Sequence, residues 1–177
     1  MASFFSHPAF PVALLVSQTR NQISKKLFIV SCLLTLFPDV DVIAFRFGIP
    51  YQSQWGHRGF THSIAFAVIG GLLCTLLSHY FQNKKTTVFF WTFLSLLSHS
   101  FFDALTNGGL GVAIFWPITS ERYFLPWQVV EVSPIGVRGF MSMRGVQVIL
   151  SEIVWIWLPC IALSVGFRTF KKFSKTT

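Results

Sequence analysis

The sequence FTHSIAFAVIGGLLCTLLSHYFQNKKTTVFFWTFLSLLSHSFFDAL, residues 60–105, contains two apolar runs separated by a short polar turn. The runs, residues 60–81 and 86–105, each hold about 20 residues, which as a helix cross a hydrocarbon layer of roughly 30 Å. The polar turn between them, residues 82–85, is short enough to return the chain antiparallel. This stretch therefore predicts a hairpin of two transmembrane helices.

The composition of the whole chain also indicates a membrane protein. Hydrophobic residues make up 53% and charged residues 11%, with a mean hydropathy of +0.60, whereas soluble domains carry about 25% charged residues. A third apolar run, residues 146–167, has spanning length although Glu152 and Pro159 interrupt it.

The remaining segments are too short or too polar to span. Residues 8–16 and 27–37 have about half the required length and predict short or re-entrant helices. Residues 107–144 mix glycine, proline, tryptophan and charge, which predicts an interfacial loop region. We predict an all-α polytopic membrane protein with about three full transmembrane helices, in a single domain over residues 1–177.

The basic residues are sorted into two groups. The net charge is +8, but basic residues flank the apolar runs, so membrane topology explains them better than nucleic-acid binding. The lysines lie at three places: Lys25 and Lys26; Lys84 and Lys85; and Lys171, Lys172 and Lys175. The positive-inside rule places these loops and the C-terminus in the cytoplasm.

Five arginines fall toward the opposite, outer side under this topology. Their guanidinium groups bind phosphate and carboxylate bidentately, unlike lysine. We therefore predict that they bind an anionic, lipid-side substrate: Arg46, Arg58, Arg122, Arg138 and Arg144.

Scarce acidic residues lie close to histidines in three short strings: FPDVD at 37–41, HRGFTHS at 57–63 and HSFFD at 99–103. Carboxylates and imidazoles are costly in hydrocarbon unless they are paired, bound to metal or facing a polar cavity. At 1.5 Å per residue, these strings and Glu152 lie about 20–33 Å from the lysines, in the outer half of the membrane. We expect them to share one level.

The local geometry of these strings is partly predictable. His99 and Asp103 are four residues apart and share a helix face. Asp39 and Asp41 follow Pro38 and are expected in a loop. His57 is expected on a loop as well, with His62 in the first turn of the next helix.

The combined side chains suit a divalent metal. Mixed imidazole and carboxylate ligation favours Zn or Mn, as one ion or as two that share a carboxylate. The candidate ligands are His7, Asp39, Asp41, His57, His62, His99 and Asp103. The candidate catalytic residues are Asp39, Asp41, His62, Asp103 and Glu152, acting with metal-activated water.

These strings, together with SHSFFDALT at 98–106 and WP at 116–117, resemble the YdjM-type family. That family is described as LexA-regulated, inner-membrane, predicted metal-dependent hydrolases of bacteria. The resemblance implies a bacterial inner-membrane location, a multi-pass fold and the same His and Asp set as the presumed metal and catalytic residues. It also supports His7 as a match to an N-terminal histidine common in the family.

Three functional interpretations remain open from the sequence. The first is a metal-dependent hydrolase acting on an anionic, lipid-phosphate type of substrate. The second is a metal-ion or proton transporter that uses the same His and Asp cluster. The third is a non-catalytic membrane protein with a structural metal. Neither the substrate nor the oligomeric state follows from the sequence.

Overall fold

The computed structural model describes residues 1–18, 22–134 and 136–174, so Lys175 lies outside the described residues. The regular structure in this part of the chain is helical, with only isolated bridges at Thr106–Val130 and Val112–Tyr123. The predicted all-α class is confirmed. The helices are α1 (Ala9–Val16), α2 (Lys25–Leu34), α3 (Ile64–Thr75), α4 (Ser78–Phe81), α5 (Lys85–Ala104), α6 (Val137–Phe140), α7 (Met143–Glu152) and α8 (Leu158–Phe173), with 3-10 helices at Pro38–Phe47 and Phe60–His62 and a π-helical turn at Ile153–Trp157.

Helices α3 and α5 form the predicted antiparallel hairpin. Its close approach depends on Gly71, where an added Cβ would lie 3.1 Å from the Cβ of Phe93. The first arm is broken, however, and does not form one helix over residues 60–81. Ser63 is extended and caps α3 by accepting a hydrogen bond from the backbone N–H of Phe66, and Leu77 leaves helical geometry before α4.

The longest helix is the continuous segment Met143–Phe173, which contains α7, the π turn and α8. Ser142 caps its start through a bond from the N–H of Arg144. The π turn directly precedes Pro159, whose ring has no N–H and crowds the carbonyl one turn earlier, so a widened turn accommodates it. The predicted run 146–167 lies entirely inside this helix.

Asp39 and Asp41 lie in the first turn of the 3-10 helix Pro38–Phe47, and the prediction of a loop there is wrong. Pro38 occupies the start of that helix, where a missing N–H has no cost, and Gly48 ends it in the left-handed conformation with φ +72°. Helix α2 precedes it at a bend of 40°. Beyond the bend, Asp39 lies near His99 of α5, and Asp41 lies near His57 and His62.

Fewer full-length spans are present than the three predicted. Among the described residues, Met143–Phe173 alone is long and apolar enough to cross a membrane by itself, and α2 with Pro38–Phe47 qualifies only as a bent pair. Helix α5 has 20 residues, but its buried face carries many polar side chains. Helix α3 is apolar but has only 12 residues.

One apolar core cluster holds the N-terminus against the rest of the molecule. It contains Ala2, Ala9, Phe102, Val130 and Ile156, all buried. These residues come from the N-terminus, α1, α5, the 107–136 loop and the π turn. This cluster brings residues 1–7, the N-terminal segment, to the C-terminal end of α5, where His99 and Asp103 lie.

The lysine-bearing ends meet at the other end of the molecule. The backbone N–H of Ser24 donates to the Oδ1 of Asn83 at 3.1 Å, and the Nζ of Lys26 lies 4.2 Å from the ring centroid of Tyr80. The starts of α2 and α5 are therefore adjacent. His99 lies 14 residues along α5 from Lys85, about 21 Å away.

Candidate metal centre

Four buried or nearly buried ligand atoms converge at the C-terminal end of α5, from Asp39, His62, His99 and Asp103. The Nε2 atoms of His62 and His99 are 2.9 Å apart. The Oδ1 of Asp39 lies 3.6 Å from the Nε2 of His62 and 3.3 Å from that of His99. The Oδ2 of Asp103 lies 3.5 Å and 3.9 Å from the same two atoms. Ligands of a tetrahedral zinc ion lie roughly 3.3 Å apart, so the spacing fits one divalent cation.

The histidine rings are held with Nε2 facing the centre. The Nδ1 of His99 lies 2.7 Å from the backbone carbonyl oxygen of Thr35, which can only accept, so this nitrogen carries the hydrogen. The Nδ1 of His62 lies 3.3 Å from the Oδ2 of Asp41. Metal-binding histidines usually donate from their other nitrogen to an oxygen in this way.

Asp41 holds two histidines at once. Its Oδ1 lies 2.6 Å from the Nδ1 of His57, while its Oδ2 faces His62 and accepts from Thr61 Oγ1 at 2.6 Å and from the backbone N–H of Arg58 at 3.2 Å. Asp41, His57 and His62 also form a second group close enough to share an ion. With its oxygens in these bonds, however, Asp41 is placed to orient imidazoles.

His7 lies against the centre from the N-terminal segment. Its ring stacks on that of His99, with centroids 3.8 Å apart and planes at 20°. Its Nε2 lies 3.7 Å from the Oδ2 of Asp39 and 3.9 Å from the Oδ1 of Asp103. Burial and the adjacent His99 lower the pKa of His7 to about 3, so the ring is neutral.

Three buried atoms in this centre have no hydrogen-bond partner within the described part of the chain. They are both ring nitrogens of His7 and the Oδ1 of Asp39, and the Nε2 of His57 is in the same state. A buried polar atom left unpaired costs about 1–3 kcal/mol. A cation bound at this point would give these unpaired atoms a partner and remove that cost.

Arg58 is fully buried and is committed to the protein itself. Its Nε donates to the Oδ2 of Asp103 at 3.0 Å and its Nη2 to Thr106 Oγ1 at 2.8 Å. Its Nη1 donates to the carbonyl oxygens of Gly108 and Leu110 at 3.1 and 2.8 Å. The side chain thus positions Asp103 and ties the following loop to α5.

The other predicted arginines divide into two kinds. Arg122 donates to four carbonyl oxygens, including that of His57 at 2.8 Å, and Arg144 pairs with Glu131 at 2.7 Å. Arg46 and Arg138 are exposed. The structure therefore leaves Arg46 and Arg138 as the guanidinium groups most open to an external anion.

Glu152 bonds to the N-terminal segment. Its Oε2 accepts from Ser3 Oγ at 2.6 Å, and its Oε1 accepts from the backbone N–H of Ser3. One residue earlier, the N–H of Ala2 donates to the Oδ1 of Asp103 at 2.6 Å. Glu152 thereby anchors the segment that carries His7, and both of its oxygens are occupied by Ser3.

Several groups that contribute to the site could not be predicted from the sequence. The Thr35 carbonyl and the Ala2 N–H are backbone groups, which carry no residue-type signal. Thr61 lies inside the HRGFTHS string, and its position between His57 and His62 was the available signal. Ser3 had none, because a serine near an N-terminus is unremarkable in composition.

The chain is similar to known proteins over nearly its whole length. A family model for the YdjM inner membrane proteins matches residues 1–174. The inner membrane protein YbcI of Escherichia coli (strain K12) is 38% identical over 164 residues, which cover 92% of this chain and 95% of that protein. No solved structure matches. Both descriptions name a membrane location and no reaction.

Proposed function

Since the chain belongs to the YdjM inner membrane protein family, we propose that it is a membrane-bound metal-dependent hydrolase acting on an anionic, lipid-side substrate. The observation that carries the proposal is the convergence of the Nε2 atoms of His62 and His99 with carboxylate oxygens of Asp39 and Asp103. Two imidazole nitrogens facing each other at 2.9 Å favour a shared cation over a purely hydrogen-bonded network.

The residues around the centre have distinct roles in this proposal. A divalent ion held there would supply Lewis acidity and lower the pKa of water to near neutral. Arg58 holds Asp103 in place. His57 is the candidate general base, because its Nε2 has no hydrogen-bond partner among the described residues and Asp41 fixes its tautomer through Nδ1, as in other His–Asp pairs.

The substrate class follows from charge and access. Asp39 is the most accessible of the four ligands, with 13% of its side chain exposed. Arg46 is exposed on the same 3-10 helix, five residues from Asp41 and about 10 Å along its axis. An anionic group held between the centre and Arg46 would have its charge matched, which suits a phosphate-bearing lipid headgroup.

From Lys25 onward the proposed topology has four crossings: the bent pair of α2 and Pro38–Phe47, the two arms of the α3–α5 hairpin, and Met143–Phe173. The lysine-bearing ends and the C-terminus lie in the cytoplasm, and the centre opens toward the outer face. The bent pair crosses in this topology, because α3 alone would put Lys25 and Lys84 on opposite sides, and its irregular backbone is tolerated where it lines a polar site.

Metal content and turnover, measured on the same samples, test the function. Full-length protein in detergent would be assayed for bound metal and for phosphate release from a lipid phosphate. The His99→Ala variant is expected to lose both the bound metal and the turnover. The His79→Ala variant, which changes an exposed histidine on α4, should keep both. Metal bound without turnover, together with metal flux in liposomes, would favour the transporter. Turnover unchanged in metal-free protein would reject the proposal.

A further inference from the structure

Asp39 and Asp103 each present two oxygens in two directions. The Oδ1 of Asp39 and the Oδ2 of Asp103 face His62 and His99. The opposite oxygens, Oδ2 of Asp39 and Oδ1 of Asp103, face the Nε2 of His7 at 3.7 and 3.9 Å. The two carboxylates therefore stand between two sets of imidazole nitrogens.

The hydrogen bonds at Asp103 leave room for a ligand on each side. Each carboxylate oxygen offers about two acceptor sites. The Oδ2 of Asp103 accepts from Arg58 and the Oδ1 accepts from the N–H of Ala2, one bond each. One acceptor site per oxygen remains, and the nearest imidazole nitrogens are the Nε2 of His62 at 3.5 Å from Oδ2 and the Nε2 of His7 at 3.9 Å from Oδ1.

Packing alone does not explain why His7 is buried at this position. Its ring is fully buried, and neither nitrogen has a hydrogen-bond partner within the described residues. Stacking on His99 accounts for the ring faces and leaves both nitrogens unsatisfied. A neutral imidazole whose Nε2 points at two carboxylate oxygens is a ligand donor without its cation.

The carboxylates of this cluster outnumber the guanidinium groups near them. The three carboxylates of Asp39, Asp41 and Asp103 are opposed among nearby side chains by two guanidinium groups, those of Arg58 and Arg122. The histidines add no charge when they act as ligands. Two divalent ions would leave the centre cationic, which suits the anionic substrate proposed above.

We infer that the centre holds a second divalent cation, bound by the Nε2 of His7, the Oδ2 of Asp39 and the Oδ1 of Asp103, with both carboxylates bridging the two ions. The first position has four protein ligands and the second has three. A position with three protein ligands keeps room for water or substrate. The inference rests on the proposed function only in sharing Asp39 and Asp103.

Metal stoichiometry of the purified full-length protein tests the second position. With Mn²⁺ as the probe, wild type and His79→Ala are expected to bind about two ions per chain and His7→Ala about one. His7→Gln serves as a second variant, because its side chain preserves volume if the alanine variant does not fold. Retention of about two ions in both folded His7 variants, or binding of one ion or none by wild type, would overturn the inference.

Electron paramagnetic resonance of the Mn²⁺ samples provides a readout that does not depend on activity. Two ions bridged by carboxylates give a broadened spectrum of a coupled pair, and the His7 variants should show the resolved hyperfine lines of an isolated ion. A coupled pair without turnover would reject the hydrolase function alone. Turnover by a protein that binds one uncoupled ion would reject the second position alone.

Discussion

Single residues in this molecule act through the groups they hold in place. Asp41 is the clearest case, because its two oxygens face the Nδ1 atoms of two different histidines. It needs two acceptor oxygens for this role. An amide offers only one acceptor oxygen, so asparagine at this position can orient only one of the two histidines.

Asp41→Asn is expected to weaken metal binding by about 10–100-fold, the usual cost of removing an oxygen that orients a histidine ligand. Either His57 or His62 must turn away from the amide NH₂ group. Competition with a chromogenic chelator measures the affinity. Glu121→Gln, which changes an exposed carboxylate that accepts from Tyr123, is the control, and equal affinities in the two variants would contradict the prediction.

The side chains of the site could be predicted from the sequence better than its backbone conformation could. His57, His62, His99 and the three aspartates were selected because polar groups are rare in an apolar chain, and the structure brings them together with His7. Arg58 was expected to bind substrate. Its burial follows from a loop conformation with φ +62°, which no local sequence pattern indicated.

At the scale of helices, the distance between α3 and α5 determines the site. His62 immediately precedes α3, and His99 lies on α5, so their 2.9 Å separation depends on how closely these helices pack. Gly71 allows that approach, since an added Cβ would lie 3.1–3.2 Å from Phe93 and Phe89. The helical hairpin and the metal centre are thus coupled through Gly71 and its neighbour Gly70, where an added Cβ would lie 2.5 Å from the side chain of Leu96 on α5.

Gly71→Val is expected to destabilise the protein by about 1–3 kcal/mol, as overpacking does in other cores, and to weaken metal binding as well. Gly166→Val is the matched control, because Gly166 lies on α8 with open space around its Cβ position. Thermal denaturation in detergent, followed by size-exclusion chromatography, gives the stability. Equal losses in both variants would show that helix propensity alone is responsible.

The π turn and Glu152 link the longest helix to the N-terminal segment. Glu152 was predicted to be catalytic, and the structure places both of its oxygens on Ser3. An anchoring role and a catalytic role predict different results for the amide. Glutamine keeps one acceptor for the N–H and one donor for the hydroxyl of Ser3, but it cannot take up a proton.

Glu152→Gln is therefore expected to keep the metal content and to lose less than about tenfold in turnover, whereas Glu152→Leu loses the His7-dependent ion because neither bond to Ser3 remains. The same metal and phosphate-release measurements serve for both variants. A loss of 100-fold or more in Glu152→Gln with full metal content would instead assign catalysis to this carboxylate.

The helical content was more predictable than the number of spans. Apolar runs located α5 and Met143–Phe173, since hydropathy depends on composition alone. The breaks at Ser63 and Leu77 escaped prediction because the run 60–81 is continuously apolar. Capping by Ser63 and a non-helical turn at Leu77 are local choices that a hydropathy average does not record.

At the scale of the whole molecule, the polar centre and the lysines lie at opposite ends. The segments that carry Lys26 and Lys84 meet at the Ser24–Asn83 bond, and Arg168 donates to the Val16 carbonyl oxygen near the end of Met143–Phe173. The metal centre lies about 21 Å from this end along α5. Under the positive-inside rule, this arrangement supports the proposed orientation.

A reporter fused at the C-terminus is expected to behave as cytoplasmic. Green fluorescent protein should fluoresce there, and alkaline phosphatase, which needs an oxidising compartment to form its disulfides, should be inactive. The control is the same pair of reporters fused after residue 131 in the 107–136 loop, where the activities should reverse. Active phosphatase at the C-terminus would invert the proposed topology.

The bond between Ser3 and Glu152 also bears on how the protein is made. These residues are 149 positions apart, and synthesis delivers Ser3 long before Glu152. The first residues therefore lack this bond until the final long helix has been made, although Asp103 can already accept from the N–H of Ala2. Complete anchoring of the segment that carries His7 would therefore mark a nascent chain that has been synthesised to its last helix.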